Sequence, residues 1–301
     1  MVNIVIVNET TEQRKPNTIQ SANRSIFLIV LLATTLFGIF TAIGASEAAA
    51  ICLSTTITLV ALQLLLKGTA NSPSEVLKHY RGVRLLTATG VAFLLFIMTE
   101  GLLTFAATFI PNLYAIIELA QFKANSIGEL SLLILGVAVL APFYEELVFR
   151  GLALKAYRDA RSTIFAVLFT SAVFGLIHGS MIQALALFPI GIVFALVMLK
   201  TQQLWTVIAA HALYNFIGVT VMQLEIEALP TTPTFGILGL ITATAAFWVA
   251  VRWIGLPKDV SKSAKSESIW TVSLVTALII AALSIGATTY VALGPGVEAV
   301  L

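Results

Sequence analysis

The chain has 301 residues, of which 58% are hydrophobic and 11% charged, with a formal net charge of +2 at pH 7. A water-soluble domain of this length has too small a core to bury so much apolar surface, so the composition indicates a polytopic membrane protein. The near-neutral charge gives no sign of nucleic-acid binding, and the single cysteine, Cys52, excludes an internal disulfide and a cysteine-cluster metal site.

Nine apolar segments are candidates for membrane-spanning helices, which need about 20 residues each. We predict a polar amino-terminal tail over residues 1–25 and a single transmembrane helical domain over residues 26–301. The predicted fold class is all-α, a polytopic transmembrane helical bundle of about nine spans, with eight as the alternative count. The predicted spans are 26–45, 48–66, 85–110, 130–158, 162–178, 182–199, 204–222, 235–254 and 269–293.

The basic residues are distributed unevenly between the two sides of the membrane. Alternating spans would place 15 of the 17 lysine and arginine residues on one side, with Lys123 on the other and Arg150 inside a span. The positive-inside rule then predicts a cytoplasmic amino terminus. We expect an integral membrane protein, located in a bacterial cytoplasmic membrane. The lipid bilayer is a predicted partner, no nucleic-acid partner is expected, and the oligomeric state is left open.

The fourth predicted span carries Glu145, Glu146 and Arg150 inside an apolar segment. Charged side chains are costly in hydrocarbon, so they usually face a polar cavity or one another. Residues four apart share a helix face, so Glu146 and Arg150 are predicted to pair as structural support, while Glu145 is turned by about 100° and stays free to react. The alternative is that all three form a buried structural network. Pro142 removes a helical hydrogen bond near Glu145, a weak sign that water enters there.

Two histidines lie in later spans. His178 ends the fifth predicted span, and His211 and Asn215 lie four residues apart on the seventh, on one helix face. A lone histidine on an apolar helix is more often a structural hydrogen-bonding residue. The rise per residue of a helix, however, gives the distance of each side chain from a hairpin near residues 159–161. Glu145 lies about 20 Å from this hairpin along the fourth span, and His178 lies about 26 Å from it along the fifth. The two side chains are therefore expected at a similar depth.

These residue types suit amide hydrolysis. A glutamate with a histidine can hold and deprotonate water, and a second histidine with an asparagine can donate hydrogen bonds to an oxyanion. Glu145, His178 and His211 would also supply the three ligands of a catalytic zinc ion. Because the chain lacks the H-E-x-x-H signature of many zinc proteases, we favour a site without a cofactor and keep zinc as the alternative.

The ordered set of motifs resembles the CAAX-processing and bacteriocin-processing intramembrane endopeptidases, the CPBP or Abi family. The matching elements are Glu145-Glu146-x-x-x-Arg150, Phe174-x-x-x-His178 and His211-x-x-x-Asn215. The resemblance covers about residues 130–222 and implies a protease core on spans four to seven. It implies that Glu145 acts as general base with His178. It also implies that His211 and Asn215 stabilise the oxyanion, and that the substrate is a peptide or a membrane-tethered protein.

Two other functions would use the same polar residues. A transporter or proton-coupled channel would carry protons along them, but the chain shows no pair of repeated halves. A catalytically inactive scaffold or bacteriocin-immunity protein would keep the fold alone, and the intact set of polar residues argues against it. Glu100, isolated in the third predicted span, is best explained by a structural hydrogen bond. We therefore favour the peptidase.

The predicted orientation bears on the substrate. If the hairpin near residues 159–161 is cytoplasmic, Glu145 lies closer to the outer side of a hydrocarbon layer of about 30 Å. A prenylated protein, which the family name suggests, would need access from the cytoplasm. An exported or outward-facing peptide is therefore expected at least as much as a prenylated one.

Overall fold

The protein folds as a bundle of helices. The computed structural model describes residues 18–69, 71–110, 123–224, 232–255 and 268–293, and every regular element within these ranges is helical. The helices of the described residues are α1 (Ile19–Ala42), α2 (Glu47–Leu65), α3 (Pro73–Lys78), α4 (Leu85–Ala107), α5 (Ile127–Ala160), α6 (Thr163–Leu176), α7 (Met181–Thr201), α8 (Leu204–Gln223), α9 (Pro233–Ile254) and α10 (Val272–Leu293).

Within the described residues, seven helices are long and apolar enough to cross a membrane: α1, α2, α4, α5, α7, α8 and α9. The prediction of an all-α polytopic bundle is therefore confirmed. Each of the nine predicted spans has a helix at its place, but α6 has only 14 residues, which is about 21 Å of helix. The part of α10 up to Gly286 is also shorter than a full span. The count of complete crossings stays a prediction.

The first helix begins earlier than the sequence predicts. The predicted tail extends to residue 25, whereas α1 starts at Ile19. The hydroxyl of Thr18 accepts the backbone N–H of Ser21 at 3.2 Å, and the hydroxyl of Ser21 accepts the N–H of Thr18 at 3.0 Å. Such a capping box satisfies free N–H groups at a helix start, so residues 19–25, most of which are polar, belong to the helix. Residues 1–17 of the predicted tail lie outside the described residues.

Several loops that carry basic residues meet at one end of the bundle, which we call the basic end. The N–H of Arg84, before α4, donates to the hydroxyl of Thr206 on α8 at 3.0 Å. The hydroxyl of Tyr157 on α5 donates to Asn23 on α1 at 2.6 Å, and the amide of Asn23 donates to the hydroxyl of Thr271 at 3.1 Å. The side of the membrane that the basic end faces stays a prediction. Outside the described residues lie Arg14, Lys15, Lys258, Lys262 and Lys265.

Helices α6 and α7 form a tight antiparallel hairpin. A Cβ on Gly175 would lie 2.7 Å from the carbonyl oxygen of Ala184, and one on Gly191 would lie 2.9 Å from the Cβ of Ser171. Glycine therefore permits the close approach of the two helices, as is common between membrane helices. The turn of this hairpin, residues 177–180, carries one of the predicted site residues.

Helix α5 departs from regular α-helical geometry. Its segments Ile134–Leu140 and Leu147–Ala153 are π-helical, and the α-helical segment Ala141–Glu146 lies between them. The N–H of Ala141 accordingly donates to the carbonyl of Gly136, five residues back. Segments of this kind are frequent at functional sites because they change the direction of the side chains that follow. The acid pair of α5 lies directly between two of them.

Candidate active site

Three buried polar side chains form the centre of the site. Glu146, Arg150 and His211 are 0%, 2% and 3% exposed. The Oε1 atom of Glu146 accepts a hydrogen bond from Nη1 of Arg150 at 3.1 Å and lies 2.8 Å from Nδ1 of His211. Because a carboxylate can only accept, Nδ1 of His211 carries the hydrogen and donates it. The predicted Glu146–Arg150 pair is present, and His211 joins it from α8.

The guanidinium of Arg150 is held by aromatic rings and by a backbone carbonyl. Its Nη2 atom donates to the carbonyl of Gly191 at 3.1 Å. Its Cζ atom lies 4.5 Å from the ring centre of Phe174 and 5.5 Å from that of Phe194, where the ring electrons attract a cation. Helices α5, α6 and α7 therefore meet at this side chain. The sequence did not identify Gly191 and Phe194 as partners of Arg150, because a glycine and a phenylalanine in an apolar helix are typical of any helix interface.

Glu145 faces a different environment from its neighbour. It lines a pocket of about 70 Å³ and is 9% exposed. Its Oε2 atom lies 3.9 Å from Nε2 of His211, which is too far for a direct hydrogen bond. The two adjacent acids of α5 are thus divided between a buried ion pair and a cavity.

His178 lies in the turn after α6 and lines the same pocket. The sequence predicts it at the end of a helix, whereas α6 ends at Leu176. Gly179 has φ +72°, a left-handed conformation that favours glycine and ends helices. The Nδ1 atom of His178 lies 2.7 Å from the carbonyl oxygen of Phe174, and a carbonyl only accepts. Nδ1 therefore carries the hydrogen, and Nε2 keeps its lone pair for a proton or a hydrogen bond.

The pocket lies between α1, α5 and the turn after α6. Its lining residues are Ile29, Val30, Ala33, Thr34, Tyr144, Glu145, Ile177 and His178. Half of them belong to α1, which the sequence did not place at the site because it carries no charged or imidazole group at that depth. The cavity is small, apolar on its α1 side, and acidic on its α5 side. It can hold water or a small side chain next to Glu145.

Asn215 lies one turn after His211 on α8 but has a different partner. Its Nδ2 atom donates to the backbone carbonyl of Val137 on α5 at 2.9 Å, whereas His211 contacts Glu146. The structure therefore does not bring the Asn215 amide and the His211 ring to one shared group. Both side chains do connect α8 to α5, on either side of Pro142 along that helix.

The donor atoms that zinc would need are not gathered in this arrangement. Among the residues that the structure describes, no three His, Cys, Asp or Glu side chains lie close enough together to hold a metal ion. The Nδ1 atoms of His178 and His211 are engaged with the carbonyl of Phe174 and the carboxylate of Glu146, an arrangement that leaves each Nε2 atom available and is also common for histidine metal ligands. In this conformation the described residues do not bring Glu145 and the two histidines together as a three-ligand group, and the use of zinc stays a prediction.

Glu100 is a second intramembrane acid, but it lies apart from the site. It belongs to α4, where its backbone carbonyl accepts the hydroxyl of Thr104 at 2.8 Å. The adjacent Thr99 shares a hydrogen bond with the hydroxyl of Tyr214 on α8 at 3.0 Å. Glu100 is therefore a half-buried acid against which Glu145 can be compared.

Comparison with known proteins shows which family the segment that contains this site resembles. Residues 127–217 match the family model described as "Type II CAAX prenyl endopeptidase Rce1-like". This segment contains all the motif residues of α5, α6 and α8, and this part of the chain is similar to the CAAX-processing membrane endopeptidases. The resemblance read from the three motifs is therefore confirmed.

A relative from Bacillus subtilis (strain 168) carries the name "Putative membrane peptidase YdiL". It is 31% identical to this chain over 108 residues, which are 36% of this chain and 44% of the relative. The chain thus matches less than half the length of that relative. No solved structure matches the chain.

Proposed function

We propose that this chain is an intramembrane endopeptidase that hydrolyses a peptide bond in a membrane-associated or exported peptide or protein. The observation that carries the proposal is the division between the two acids. Glu146 is engaged by Arg150 and His211, whereas Glu145 shares a pocket with His178. A carboxylate and an imidazole on one small cavity are the groups that activate water for amide hydrolysis. The similarity of residues 127–217 to an endopeptidase family supports the same reaction.

In the first step, Glu145 takes a proton from a water molecule in the pocket. The oxygen of that water forms a bond to the carbonyl carbon of the substrate peptide. His178 orients the water by accepting its second hydrogen at Nε2, because Nδ1 is occupied by the carbonyl of Phe174. The carbonyl oxygen of the substrate then carries the negative charge.

His211 is placed to act on this charge from the other side of Glu145. Its Nε2 atom lies 3.9 Å from the Glu145 carboxylate, so a group bound beside that carboxylate is within its reach. When both ring nitrogens are protonated, Nδ1 donates to Glu146 and Nε2 donates to the oxyanion. In the last step the carbon–nitrogen bond breaks, and the leaving amine takes the proton that Glu145 holds.

We propose that this chemistry needs no metal ion. Among the described residues, Glu145, His178 and His211 do not form a three-ligand group, which supports this choice because a catalytic zinc needs three protein ligands around one point. Zinc remains the alternative that a chelator experiment decides.

The pocket also bears on the substrate. Its α1 side is formed by apolar residues such as Ile29 and Ala33, and its volume is about 70 Å³. A small apolar side chain fits such a space, whereas a prenyl chain is too long to be enclosed and would lie in the lipid beside α1.

We further propose that the basic end is cytoplasmic, because lysine and arginine are retained on that side. Glu145 then lies about 20 Å from Arg158, nearer the outer surface.

Peptide hydrolysis by the full chain in proteoliposomes tests the proposed function. A fluorogenic peptide library that includes apolar exported sequences and a farnesylated peptide is offered to wild type and to Glu145→Gln. We expect cleavage of an unprenylated apolar peptide by the wild type and not by Glu145→Gln. Glu100→Gln is the matched control, since it makes the same change at an intramembrane acid outside the site, and it should cleave like the wild type. Unchanged turnover by Glu145→Gln contradicts the general-base role.

A chelator added to the same assay tests the metal-free proposal. Full activity after exhaustive chelation is expected. Loss of activity that returns with added zinc would instead support the zinc alternative.

Labelling of a cysteine at the turn after α6 tests the orientation. Ser180→Cys is placed in a Cys52→Ala background, because Cys52 is the single native cysteine. An impermeant maleimide applied to intact cells is expected to label it from outside. Labelling only from the cytoplasmic side would reverse the proposed orientation.

A further inference from the structure

The backbone of α5 contains a carbonyl group that its own helix cannot satisfy. In the π-helical segment Ile134–Leu140, the donor lies five residues ahead, as the bond from Ala141 N–H to Gly136 shows. The corresponding donor for the carbonyl of Val137 would be residue 142, but Pro142 has no N–H. The residue four ahead of Val137 is Ala141, whose N–H is already used. Val137 therefore lacks both of the donors that a helix normally supplies.

A side chain from α8 supplies the missing hydrogen bond. Nδ2 of Asn215 donates to the Val137 carbonyl oxygen at 2.9 Å. An unpaired carbonyl inside a membrane protein has no water to bind and is costly, so this bond replaces a backbone bond that the sequence removed. Polar side chains are known to satisfy backbone groups that proline frees in membrane helices.

The position of this bond relates it to the reactive acid. Pro142 comes three residues before Glu145, so the freed carbonyl belongs to the turn of α5 that precedes the acid pair. One turn before Asn215, His211 contacts Glu146 at 2.8 Å. The two α8 side chains thus hold α5 at two points, one before Pro142 and one after it. Any rotation of α5 at Pro142 would have to break one of these contacts.

We propose that Asn215 is a positioning residue whose amide replaces the N–H that Pro142 lacks, and so fixes the orientation of Glu145 in its pocket. It acts through α5 and does not need to touch the substrate. This inference rests on the proposed function for its effect on hydrolysis, but the hydrogen bond itself is independent of that function. The resemblance to the family had instead implied an oxyanion role for Asn215.

A double-mutant cycle between Asn215→Ala and Pro142→Ala tests the proposal. Pro142→Ala restores an N–H to α5, so the Val137 carbonyl gains a backbone donor whether the segment stays π-helical or returns to α-helical bonding. We expect Asn215→Ala to lower kcat about 10- to 100-fold in the native background, as a misplaced catalytic group does. In the Pro142→Ala background, the same change should lower kcat less than about threefold. An equal loss in both backgrounds would show that Asn215 acts directly on the reaction, and would overturn the proposal.

Melting temperature provides a second readout that does not depend on hydrolysis. Asn215→Ala is expected to lower the melting temperature of the full chain in detergent, and Pro142→Ala is expected to remove most of that loss. Thr220→Ala is the matched control on α8, because its hydroxyl bonds only the carbonyl of Phe216 in its own helix. Its effect should add to that of Pro142→Ala, as for independent sites.

The two readouts separate the two proposals. If no peptide is hydrolysed by the wild type, the proposed function fails while the melting-temperature cycle still tests the bond to Val137. If both cycles are additive, the positioning role of Asn215 is wrong even when the chain is an active peptidase.

Discussion

The two sides of the α5 acid pair differ in what surrounds them. On one side, Glu146 is fully buried and bound by Arg150 and His211, and α6 and α7 close over the guanidinium. On the other side, Glu145 faces a pocket whose far wall is the apolar face of α1. Adjacent residues on a helix point in directions about 100° apart, so two identical side chains enter two different environments.

Under the proposed function, this difference gives the two acids different tasks. A charge that is buried and held by Arg150 and His211 stabilises one arrangement of helices and is poorly placed to exchange protons with a substrate. A carboxylate beside a cavity can meet water and an incoming peptide. The buried network around Glu146 is therefore the support against which Glu145 is positioned.

Removing the cation of the buried network should have the largest effect on stability. Arg150→Leu leaves the Glu146 carboxylate buried beside apolar rings, and breaking a buried pair in this way costs about 3–5 kcal/mol of unfolding free energy. The melting temperature in detergent measures the loss. Glu146→Gln in the Arg150→Leu background should recover part of it, because the buried charge is then gone. If the melting temperature does not recover, the loss of stability does not come from the unpaired Glu146 charge.

Removing the imidazole of the pocket should affect catalysis more than stability. His178→Ala is expected to lower kcat about 100-fold, within the usual contribution of a group that assists proton transfer. The measurement is peptide cleavage in proteoliposomes with a melting curve alongside.

His79→Ala is a closely matched control for this change. The Nδ1 atom of His79 also lies near the carbonyl oxygen four residues back, that of Glu75, at 2.9 Å. His79 follows the short helix α3, away from the pocket, and its replacement should leave kcat unchanged. Equal losses for the two histidines would remove His178 from the reaction.

Filling the pocket from α1 should have the smallest effect and should depend on the substrate. Ala33→Leu adds apolar volume to a cavity of about 70 Å³. We expect kcat/KM to fall about tenfold for peptides with a leucine at the preferred position and much less for peptides with an alanine there. Ala42→Leu, an exposed position of the same helix, is the control. An equal decrease for all peptides would show that Ala33 does not select the substrate side chain.

The helices were largely predictable because long apolar segments leave the backbone few alternatives in lipid. The start of α1 was not, since the residues after Thr18 are polar and a composition reading assigns them to a tail. The capping box of Thr18 and Ser21 outweighs that composition. The π-helical segments of α5 have no sequence signature beyond Pro142, so their place became clear only from the backbone geometry.

The charged and imidazole residues of the candidate site could be predicted from the sequence. The apolar and backbone groups that complete the site could not, because only their position in the fold brings them there. The spacing of Glu146 and Arg150 indicated their pair, which the structure contains. Nothing in the sequence indicated that α1 lines the pocket, because Ile29 and Ala33 resemble any lipid-facing residues. The partner of Asn215 was likewise hidden, since a backbone carbonyl cannot be read as a motif.

The central claim is that Glu145 reacts while Glu146 supports, and exchanging each acid for its amide tests it most directly. Glu145→Gln and Glu146→Gln are purified as full chains, and kcat and melting temperature are measured for both. We predict that Glu145→Gln loses about 1,000-fold or more in kcat with a melting temperature close to that of the wild type, whereas Glu146→Gln melts at a clearly lower temperature. A Glu145→Gln protein that cleaves peptide at the wild-type rate, beside a stable but inactive Glu146→Gln protein, would contradict the account.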